Sequence, residues 1–408
     1  MRRLYLDYAA TTPTDPRVFE AMLPLLRDPV GNASSTHALG RKARYLVEES
    51  REQVAALLGA TPSEILFTSG ATEANNTALH GVLQRPDQGL VTSAAEHEAI
   101  LQPAEALQQD GHPVTVLTPA AAGVVTPDQL AEALRPDTAL VSLMMVNNET
   151  GAVADVQALA TVAHTHGALF HTDAVQAAGH FPLDVGALNV DLLSLSGHKL
   201  HGPKGVGVLV VRAGTPFRPL VRGGAQERDR RGGTENVAAI VGLAEALRLA
   251  RAEAEDRRAH LYALRDHLYA RLRSTLGESF VLNTPLDTPN AAAPHIVNIA
   301  FPPVADQPLD GEMLLLNLDM EGVMASAGSA CTSGALSPSH VLQALGLDEA
   351  TASAAVRFSL GTDTTTDDVD FAVERLGVIV DRMRPTMAPP AHRPPPATAG
   401  APDQAPGG

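Results

Sequence analysis

The sequence contains a single cysteine, Cys331, among its 408 residues. One cysteine excludes an intrachain disulfide and a metal site built from several cysteines, so we expect no metal. Basic residues are also scarce, since 30 lysines and arginines stand against 46 aspartates and glutamates and leave a net charge of −16. So acidic a chain lacks the basic face that nucleic-acid binding requires, and we expect no nucleic-acid partner.

Long apolar runs and a secretion signal are also missing. No apolar stretch approaches the roughly 18 residues of a membrane-spanning helix, so we expect no membrane partner. The N-terminus reaches Asp7 before a stretch of signal-peptide length can form. We therefore expect a cytoplasmic protein. With 45% hydrophobic and 19% charged residues, the chain is long enough for two domains and a substantial core.

Lysine is much rarer than arginine in this sequence. Only Lys42, Lys199 and Lys204 occur, and all other basic residues are arginines. Arginine stays protonated at any workable pH, whereas lysine can lose its proton and act as an amine nucleophile. Two of the three lysines lie in one loop rich in glycine, serine and histidine, which suggests a lysine that forms a Schiff base. On this stretch alone, two ordinary loop charges are the alternative.

Strand-like apolar runs alternate with helix-like segments in the first half of the chain. This alternation predicts an α/β fold in which a mainly parallel sheet is covered by helices on both faces. Polar residues follow four of the strands, and open α/β sheets bind ligands at the edge where their strands end. The predicted strands are 64–68, 89–93, 114–117, 139–146, 168–172, 191–195 and 207–211, and the predicted helices are 16–26, 41–58, 100–109, 127–134 and 156–166.

The second half predicts a smaller α+β domain. Helical apolar spacing over residues 238–276 predicts one long helix that leads into this domain. Segment 325–335 consists of small residues, which favours a mobile loop, and the proline-rich tail 385–408 has a composition typical of disorder. Further strands are predicted near 295–300 and 356–360, with helices at 311–319 and 367–382. The predicted domains are 15–252 for the large domain, and 1–14 with 253–384 for the small domain.

A Schiff-base lysine usually partners a carbonyl cofactor, and the sequence offers a candidate for each group that pyridoxal 5'-phosphate requires. The strand–glycine–helix junction at 69–73, with the Thr72 hydroxyl, can hold a phosphate at a helix N-terminus. Asp173 ends a strand and can keep the pyridine nitrogen protonated, while His97 can stack on the ring. Helix caps and a structural histidine are the alternatives for these residues. The glycines at 205 and 207 do not form a dinucleotide fingerprint, because a strand follows them.

Seven short segments spread over the chain carry a family resemblance. They are Leu6-Asp7-Tyr8-Ala9-Ala10-Thr11-Thr12-Pro13, Phe67-Thr68-Ser69-Gly70-Ala71-Thr72-Glu73, Glu96-His97, Val146-Asn147-Asn148-Glu149, Ser194-Leu195-Ser196-Gly197-His198-Lys199, Ser329-Ala330-Cys331-Thr332-Ser333 and Arg357-Phe358-Ser359-Leu360-Gly361. Together they resemble the NifS/IscS-type cysteine desulfurases, which are pyridoxal-phosphate enzymes of the class V aminotransferase family. The resemblance covers residues 4–385, and the motifs occur in the family's order.

The resemblance implies the pyridoxal-phosphate fold type I and a set of site residues. Lys199 would bind the cofactor covalently, Cys331 would accept sulfur, and His97 would stack on the ring and move protons. The other implied cofactor contacts are Ala71, Thr72, Asn148, Asp173, Gln176, Ser196, His198 and, from the second subunit of a homodimer, Thr234. The implied substrate contacts are Asn32, Asn148 and Arg357, of which Arg357 would hold the carboxylate with its planar fork.

The implied activity is that of a cysteine desulfurase, which converts L-cysteine to L-alanine. Its sulfur would pass, as a persulfide on Cys331, to an acceptor protein for iron–sulfur cluster or other sulfur-containing cofactor synthesis. A selenocysteine lyase, or another class V lyase or aminotransferase, is the alternative, but such chemistry needs no loop thiol. A non-catalytic scaffold would have lost cofactor residues, and none is lost. The tail 385–408 does not resemble the region with which IscS-type members dock their iron–sulfur scaffold.

Overall fold

The computed structural model describes residues 2–328 and 338–384, which form twelve strands and thirteen helices. The strands are β1 (Leu4–Tyr5), β2 (Ile65–Thr68), β3 (Gly89–Ser93), β4 (Val114–Leu117), β5 (Thr138–Ser142), β6 (Leu169–Asp173), β7 (Leu192–Ser196), β8 (Gly207–Val211), β9 (Val281–Leu282), β10 (Ile296–Ala300), β11 (Val323–Met324) and β12 (Ala355–Ser359). The helices are α1 (Pro16–Arg27), α2 (Ala38–Leu57), α3 (Ala71–Val82), α4 (Glu98–Gln109), α5 (Pro127–Ala133), α6 (Val156–Thr165), α7 (Gln226–Asp229), α8 (Val237–Ala252), α9 (Ala254–Leu276), α10 (Gly311–Met320), α11 (His340–Ala344), α12 (Glu349–Ser353) and α13 (Thr366–Met383).

The largest sheet has seven strands in the order β2-β8-β7-β6-β5-β3-β4. All neighbouring pairs are parallel except the two that include β8. The prediction of a mainly parallel α/β sheet is therefore confirmed. Strand β8 runs antiparallel because only residues 197–206 separate it from β7, which is too short for the helical crossover that joins parallel strands.

Helices pack on both faces of this sheet, and successive strand residues point to opposite faces. Neighbouring residues of one strand therefore enter different cores. One face carries Phe67, Val91, Val141 and Val208 into a core shared with α1, α2, α6 and α8. The opposite face carries Leu66, Leu90, Leu140 and Leu209 into a core shared with α3 and α4. The site residues described below consequently lie where buried strands end, on a scaffold packed from both sides.

A separate core surrounds the smaller sheets. Strand β10 pairs antiparallel with β12 and β9, and β1 pairs in parallel with β11. Helices α9, α10 and α13 pack here, with Leu261, Leu268 and Leu314 among the buried residues. The predicted single helix over 238–276 is wrong in one respect, because Glu253 leaves the helical conformation (φ −106°, ψ 8°) and separates α8 from α9. The exact domain boundaries stay a prediction.

Four charged residues meet at this break between α8 and α9, and we call them the boundary cluster: Asp15, Arg17, Glu253 and Arg257. Arg17 forms ion pairs with both Asp15 and Glu253. Arg257 donates to Glu253 at 2.6 Å. Hydrogen bonds from Arg17, and then from Arg257, lower the pKa of Glu253 to about 2, so these pairs persist far below the ordinary carboxyl range.

Two sequence predictions fall on residues that the structure leaves undescribed. Most of the predicted mobile loop 325–335, including Cys331, and the whole predicted disordered tail 385–408 lie outside the described residues. Within the part of the chain that is described, no helix is both long enough and apolar enough to cross a membrane.

A buried ion pair joins α2 to the turn at Gln226–Asp229. Arg51 donates to both carboxylate oxygens of Glu227, at 2.7 and 2.9 Å, and the Phe67 amide donates to the same carboxylate at 3.0 Å. Arg51 and Glu227 are both buried. Both charges lose their contacts with water on folding. The ion pair and the surrounding hydrogen bonds replace those contacts.

We expect Glu227→Gln to lower the free energy of unfolding by about 2 kcal/mol, because it leaves the buried Arg51 guanidinium with only the partly exposed Glu48 as a counter-charge. The measurement is urea unfolding of both proteins. Glu245→Gln is the matched control, since Glu245 pairs with the exposed Arg248, and we expect that loss to stay below about 1 kcal/mol. Equal losses in the two variants would contradict the prediction.

Candidate functional site

An uncapped helix N-terminus lies at one end of the site. Helix α3 starts at Ala71 after Gly70, and no side chain caps it. Strand β8 begins close by: a Cβ atom on Gly207 would lie 2.7 Å from the carbonyl carbon of Gly70, so only glycine allows this approach. A Cβ atom on Gly70 would meet only the Ser196 hydroxyl, at 3.9 Å. The free N–H groups of the first helical turn, with Ser196 nearby, suit an anion.

Lys199 ends a short 3-10 helix, Gly197–Lys199, that follows β7 and that the sequence pattern did not predict. Its Nζ donates to the backbone oxygens of Ala9 and Ala10 in the N-terminal arm. Burial, and then the positive charge of Arg357, lower the pKa of Lys199 to about 8. At pH 7 this raises the neutral amine fraction roughly 300-fold over an ordinary lysine, so the side chain is suited to nucleophilic attack.

Asp173 lies at the end of β6, two strands from β8, and is 7% exposed. Asn75 donates to one of its carboxylate oxygens at 2.7 Å, and the Val175 amide donates to the other at 2.9 Å. Asn75 is itself fully buried in α3. The sequence analysis missed Asn75, whose only signal is its position one turn into that helix. The two donors hold a buried acceptor in place at the strand edge.

Two histidines border Lys199. His97 caps α4, and its Nδ1 accepts the Ala99 amide at 3.0 Å, which places the proton of the neutral ring on Nε2. Desolvation lowers the pKa of His97, whereas the charge of Asp173 raises it. Part of the His97 side chain remains exposed to solvent. His198 contacts the Thr11 hydroxyl at 3.1 Å. Burial, and then the Lys199 charge, lower the pKa of His198 to about 4, so its ring is neutral at pH 7.

Arg357 lies on β12 and reaches back to the large sheet. It donates to the Asn148 backbone oxygen at 2.7 Å and to the Asp7 carboxylate at 2.8 Å. Its Nε and the Asn148 side-chain oxygen are buried, and neither has a hydrogen-bond partner among the described residues. An arginine with an unsatisfied donor beside an unsatisfied amide is suited to a ligand that brings its own polar groups.

The described residues on either side of the Cys331 segment are attached next to Arg357. Arg357 donates to the Gly328 oxygen at 3.4 Å. Beyond the segment, the Ser339 hydroxyl donates to Glu149 at 2.5 Å, and Glu149 is buried. Cys331 itself lies outside the described residues, but both ends of its segment are therefore anchored beside Asn148 and Arg357.

The structure brings most of the predicted site residues to one region, but not all. Asn32 is exposed, and its side chain accepts the Ser34 amide at 2.8 Å within its own loop. Thr234 is also exposed, on the loop between α7 and α8. Partners that the sequence analysis missed, besides Asn75, are the Asp7 carboxylate and the Ala9 backbone oxygen. Asp7 and Ala9 belong to a motif that it quoted for the resemblance alone.

Glu96 is a buried carboxyl group beside the site. One of its oxygens accepts the Met144 amide at 2.8 Å, and the other has no partner among the described residues. Burial raises the pKa of Glu96 well above its ordinary value; the Met144 amide opposes this and Asp173 adds to it. The folded protein therefore holds a proton here that the unfolded chain releases.

We expect the contribution of Glu96 to stability to be complete below the ordinary glutamate pKa and to be lost as pH rises toward its raised pKa. The side chain of Glu96→Gln is always neutral. The free energy of unfolding of this variant should therefore rise relative to that of the parent between about pH 5 and about pH 8. Urea unfolding at both pH values measures this. Glu105→Gln, at an exposed position of α4 where the carboxylate accepts from the neutral Gln109 side chain, should keep a constant difference. A constant difference for Glu96→Gln would contradict the prediction.

The residues fit pyridoxal phosphate on three observations. The α3 N-terminus and Ser196 offer donors for a phosphate, and Asp173 offers a buried carboxylate for a protonated ring nitrogen. Lys199 offers an amine whose pKa is lowered to about 8. These groups supply the anion site, the counter-charge and the nucleophile that this cofactor requires.

Comparisons with known proteins agree with this geometry. Residues 4–371 match the family model described as aminotransferase class-V. The chain is 44% identical to the cysteine desulfurase IscS of Dictyoglomus turgidum over 95% of its own length and 97% of that protein. It is 44% identical to the putative cysteine desulfurase IscS 1 of Bacillus subtilis, covering 94% and 100%. Among solved structures, it is similar to a NifS-like protein with a TM-score of 0.85 and 36% identity, covering 93% and 100%.

Proposed function

The chain belongs to the class-V aminotransferase family, and we propose that it is a pyridoxal-phosphate-dependent cysteine desulfurase that converts L-cysteine to L-alanine. The observation that carries the proposal is Lys199, a half-buried amine whose pKa is lowered by burial and then by the charge of the carboxylate-binding candidate Arg357. A selenocysteine lyase would share this arrangement, and the experiment below distinguishes the two activities.

We propose that the cofactor's phosphate is held by Ala71, Thr72, Ser196 and His198, and that its ring is held by His97, Asn148, Asp173 and Gln176. Support comes from the uncapped start of α3 and the buried Asp173 carboxylate. When bound, pyridoxal phosphate supplies an electron sink that allows the substrate Cα to lose a proton. Lys199 would hold the cofactor covalently until substrate arrives, and its freed Nζ would then take that proton.

Arg357 would bind the substrate carboxylate, with Asn148 and Asn32 assisting. The Cys331 thiolate would attack the substrate sulfur, so that a sulfur–sulfur bond forms while the Cβ–sulfur bond breaks. The carbon that loses sulfur gains a proton and becomes the methyl group of alanine. Cys331 ends as a persulfide, so one cysteine and one thiol give one alanine and one persulfide, and no external oxidant is needed.

The persulfide of Cys331 would be passed to a sulfur-acceptor protein, for iron–sulfur cluster or other sulfur-containing cofactor synthesis. Transfer to a protein requires that the persulfide leave the site. The described residues on either side of Cys331, Gly328 and Ser339, hydrogen-bond to Arg357 and Glu149, so the chain enters and leaves this segment beside the proposed substrate site. We place the reaction in the cytoplasm.

The activity is tested by purifying the protein with pyridoxal phosphate and adding L-cysteine. We expect alanine to form in step with protein-bound persulfide, and sulfide to appear when a thiol reductant is added. Selenocysteine is the comparison substrate. Turnover of selenocysteine with no alanine from cysteine would replace this proposal with the lyase alternative.

We also propose a homodimer in which Thr234 reaches the phosphate of the second subunit, as the exposure of Thr234 allows. Mixing Lys199→Arg and Thr234→Val chains tests this. In a mixed dimer one site combines Lys199 with Thr234, so random pairing should leave roughly a quarter of all sites intact. We expect the refolded mixture to exceed the activity of either variant. Activity no greater than the average of the two variants would exclude a shared site.

A further inference from the structure

The side-chain amide of Gln176 has a fixed orientation. Gln176 is buried just after β6, and its Nε2 donates to the Ala9 backbone oxygen at 2.8 Å. The same oxygen accepts a hydrogen bond from Lys199 Nζ. A backbone oxygen only accepts hydrogen bonds, so the nitrogen of the Gln176 amide, and not its oxygen, must face Ala9. The oxygen Oε1 consequently faces the opposite way.

His295 lies on that opposite side, just before β10 in the smaller sheet. Its Nε2 is 3.3 Å from Gln176 Oε1, and it is 2% exposed. Because Oε1 can only accept, His295 must carry its proton on Nε2. Burial, and then the positive charges that His180, Arg357 and Lys199 would present, lower the pKa of His295 well below its ordinary value, so the ring is neutral and Nδ1 bears no proton.

His180 fixes the plane of the His295 ring without competing for its proton. The two rings are stacked, with centroids 3.8 Å apart and planes 12° from parallel. Neither Nδ1 atom has a hydrogen-bond partner among the described residues. The only polar contact that the His295 ring makes within the described chain is therefore the one to Gln176.

We propose that His295 is a positioning residue for Gln176: its Nε2–H holds Gln176 Oε1, so that the amide keeps an N–H for the ring oxygen of pyridoxal phosphate. The inference rests on the proposed cofactor site. Residue 295 belongs to the smaller sheet's side of the molecule and Gln176 to the larger sheet's side, so this contact makes the cofactor's environment depend on how the two pack together.

The chain offers a matched set of variants. His295→Leu removes the donor and keeps a buried side chain of similar bulk. His295→Gln restores an N–H at the same distance from the backbone. His180→Phe keeps the flat stacking surface and removes both ring nitrogens, of which Nδ1 is buried and has no hydrogen-bond partner among the described residues. A purely structural role for the stacked rings predicts that His295→Leu and His295→Gln, which both lose the flat ring, have similar effects.

The first readout is the bound cofactor, measured without cysteine. We expect His295→Leu to release pyridoxal phosphate about tenfold faster, the equivalent of one hydrogen bond, and to shift the visible absorption band. His295→Gln should return both quantities close to those of the parent, and His180→Phe should leave them there. Equal changes in His295→Leu and His295→Gln, or no change in His295→Leu, would overturn the proposal.

The second readout needs no cofactor. In apoprotein with nitrogen-15-labelled histidine, the His295 signal, identified by its absence in His295→Gln, should show the Nε2-protonated neutral form at pH 7. A ring protonated at Nδ1, or charged, would overturn the proposal. Because neither readout uses cysteine, a protein that bound the cofactor but made no alanine would refute the desulfurase assignment and leave this inference standing.

Discussion

We expect Lys199→Arg to abolish alanine formation, with a loss of about 1,000-fold or more, while the fold is retained. A guanidinium cannot lose its proton at workable pH, so it can neither bond to the cofactor's carbonyl carbon nor take the substrate's Cα proton. The side chain is half-buried and its nitrogen has two backbone acceptors, so arginine can still form hydrogen bonds there. The measurement is alanine released from cysteine, with circular dichroism to confirm folding.

Lys204→Arg is the matched control for this experiment, since it makes the same change at an exposed position in the same loop. We expect turnover close to that of the parent. The visible band of the bound cofactor provides an independent check, because loss of the covalent bond to Lys199 should shift that band even when binding persists. Alanine formation by Lys199→Arg at a rate near that of Lys204→Arg would refute the assignment of Lys199.

The Cys331→Ser variant should bind pyridoxal phosphate and cysteine normally and yet release about 1,000-fold less alanine. A serine hydroxyl is far less acidic than a thiol and much less nucleophilic toward sulfur, so no persulfide forms. Removal of the Cα proton depends on Lys199 and Asp173 instead, and should survive. The cofactor spectrum after addition of cysteine and the release of alanine would be measured on the same sample.

Cys331 offers a second route to the same test, because it is the only cysteine in the chain. Alkylation of the parent protein can therefore modify no other thiol, and it should reproduce the loss seen in Cys331→Ser. Alanine and sulfide produced at the parent rate by Cys331→Ser would mean that Cys331 is a bystander. The enzyme would then be a lyase that releases sulfur without a protein thiol.

Much of the large sheet could be predicted from local pattern. The predicted bounds 89–93, 114–117 and 207–211 coincide with β3, β4 and β8. Each is a short run rich in β-branched and other apolar residues, and β3 and β8 are buried on both faces, which requires that composition, whereas the edge strand β4 is only partly buried. Where burial alone determines the run of apolar residues, that run predicted the bounds of the strand correctly.

Elements shaped by distant contacts were less predictable. The strand predicted over 139–146 ends at Ser142 in the structure. The Leu143 and Met145 amides still donate to β6, but the Met144 amide donates to the Glu96 carboxylate and Val146 pairs with Val153, so the regular strand ends although its residues stay apolar. The break at Glu253 has a similar origin, since the apolar spacing continues through it while the charges of Arg17 and Arg257 bind its side chain.

The site shows the same division between local and distant information. The positions of Lys199 and Asp173 followed from strand ends and from the scarcity of lysine. The partners of the site residues did not, because Asn75 lies 98 residues from Asp173, and Asp7 lies 350 residues from Arg357. The contact between His295 and Gln176 spans 119 residues and leaves no local signal.

The boundary cluster has a mechanical consequence. At Asp15 and Glu253 the chain is predicted to cross between the two domains, and Arg17 ties these two crossings together. Two bodies joined by crossings at one place can pivot about it, whereas crossings far apart would hold them rigid. The arginines of these ion pairs are partly exposed, so we expect the pairs to weaken as added salt shortens the Debye length below about 10 Å. The buried contacts that also join the two predicted domains, Gln176 with His295 and Asn148 with Arg357, are screened far less, so added salt should loosen the crossing point before it loosens the packing around the site.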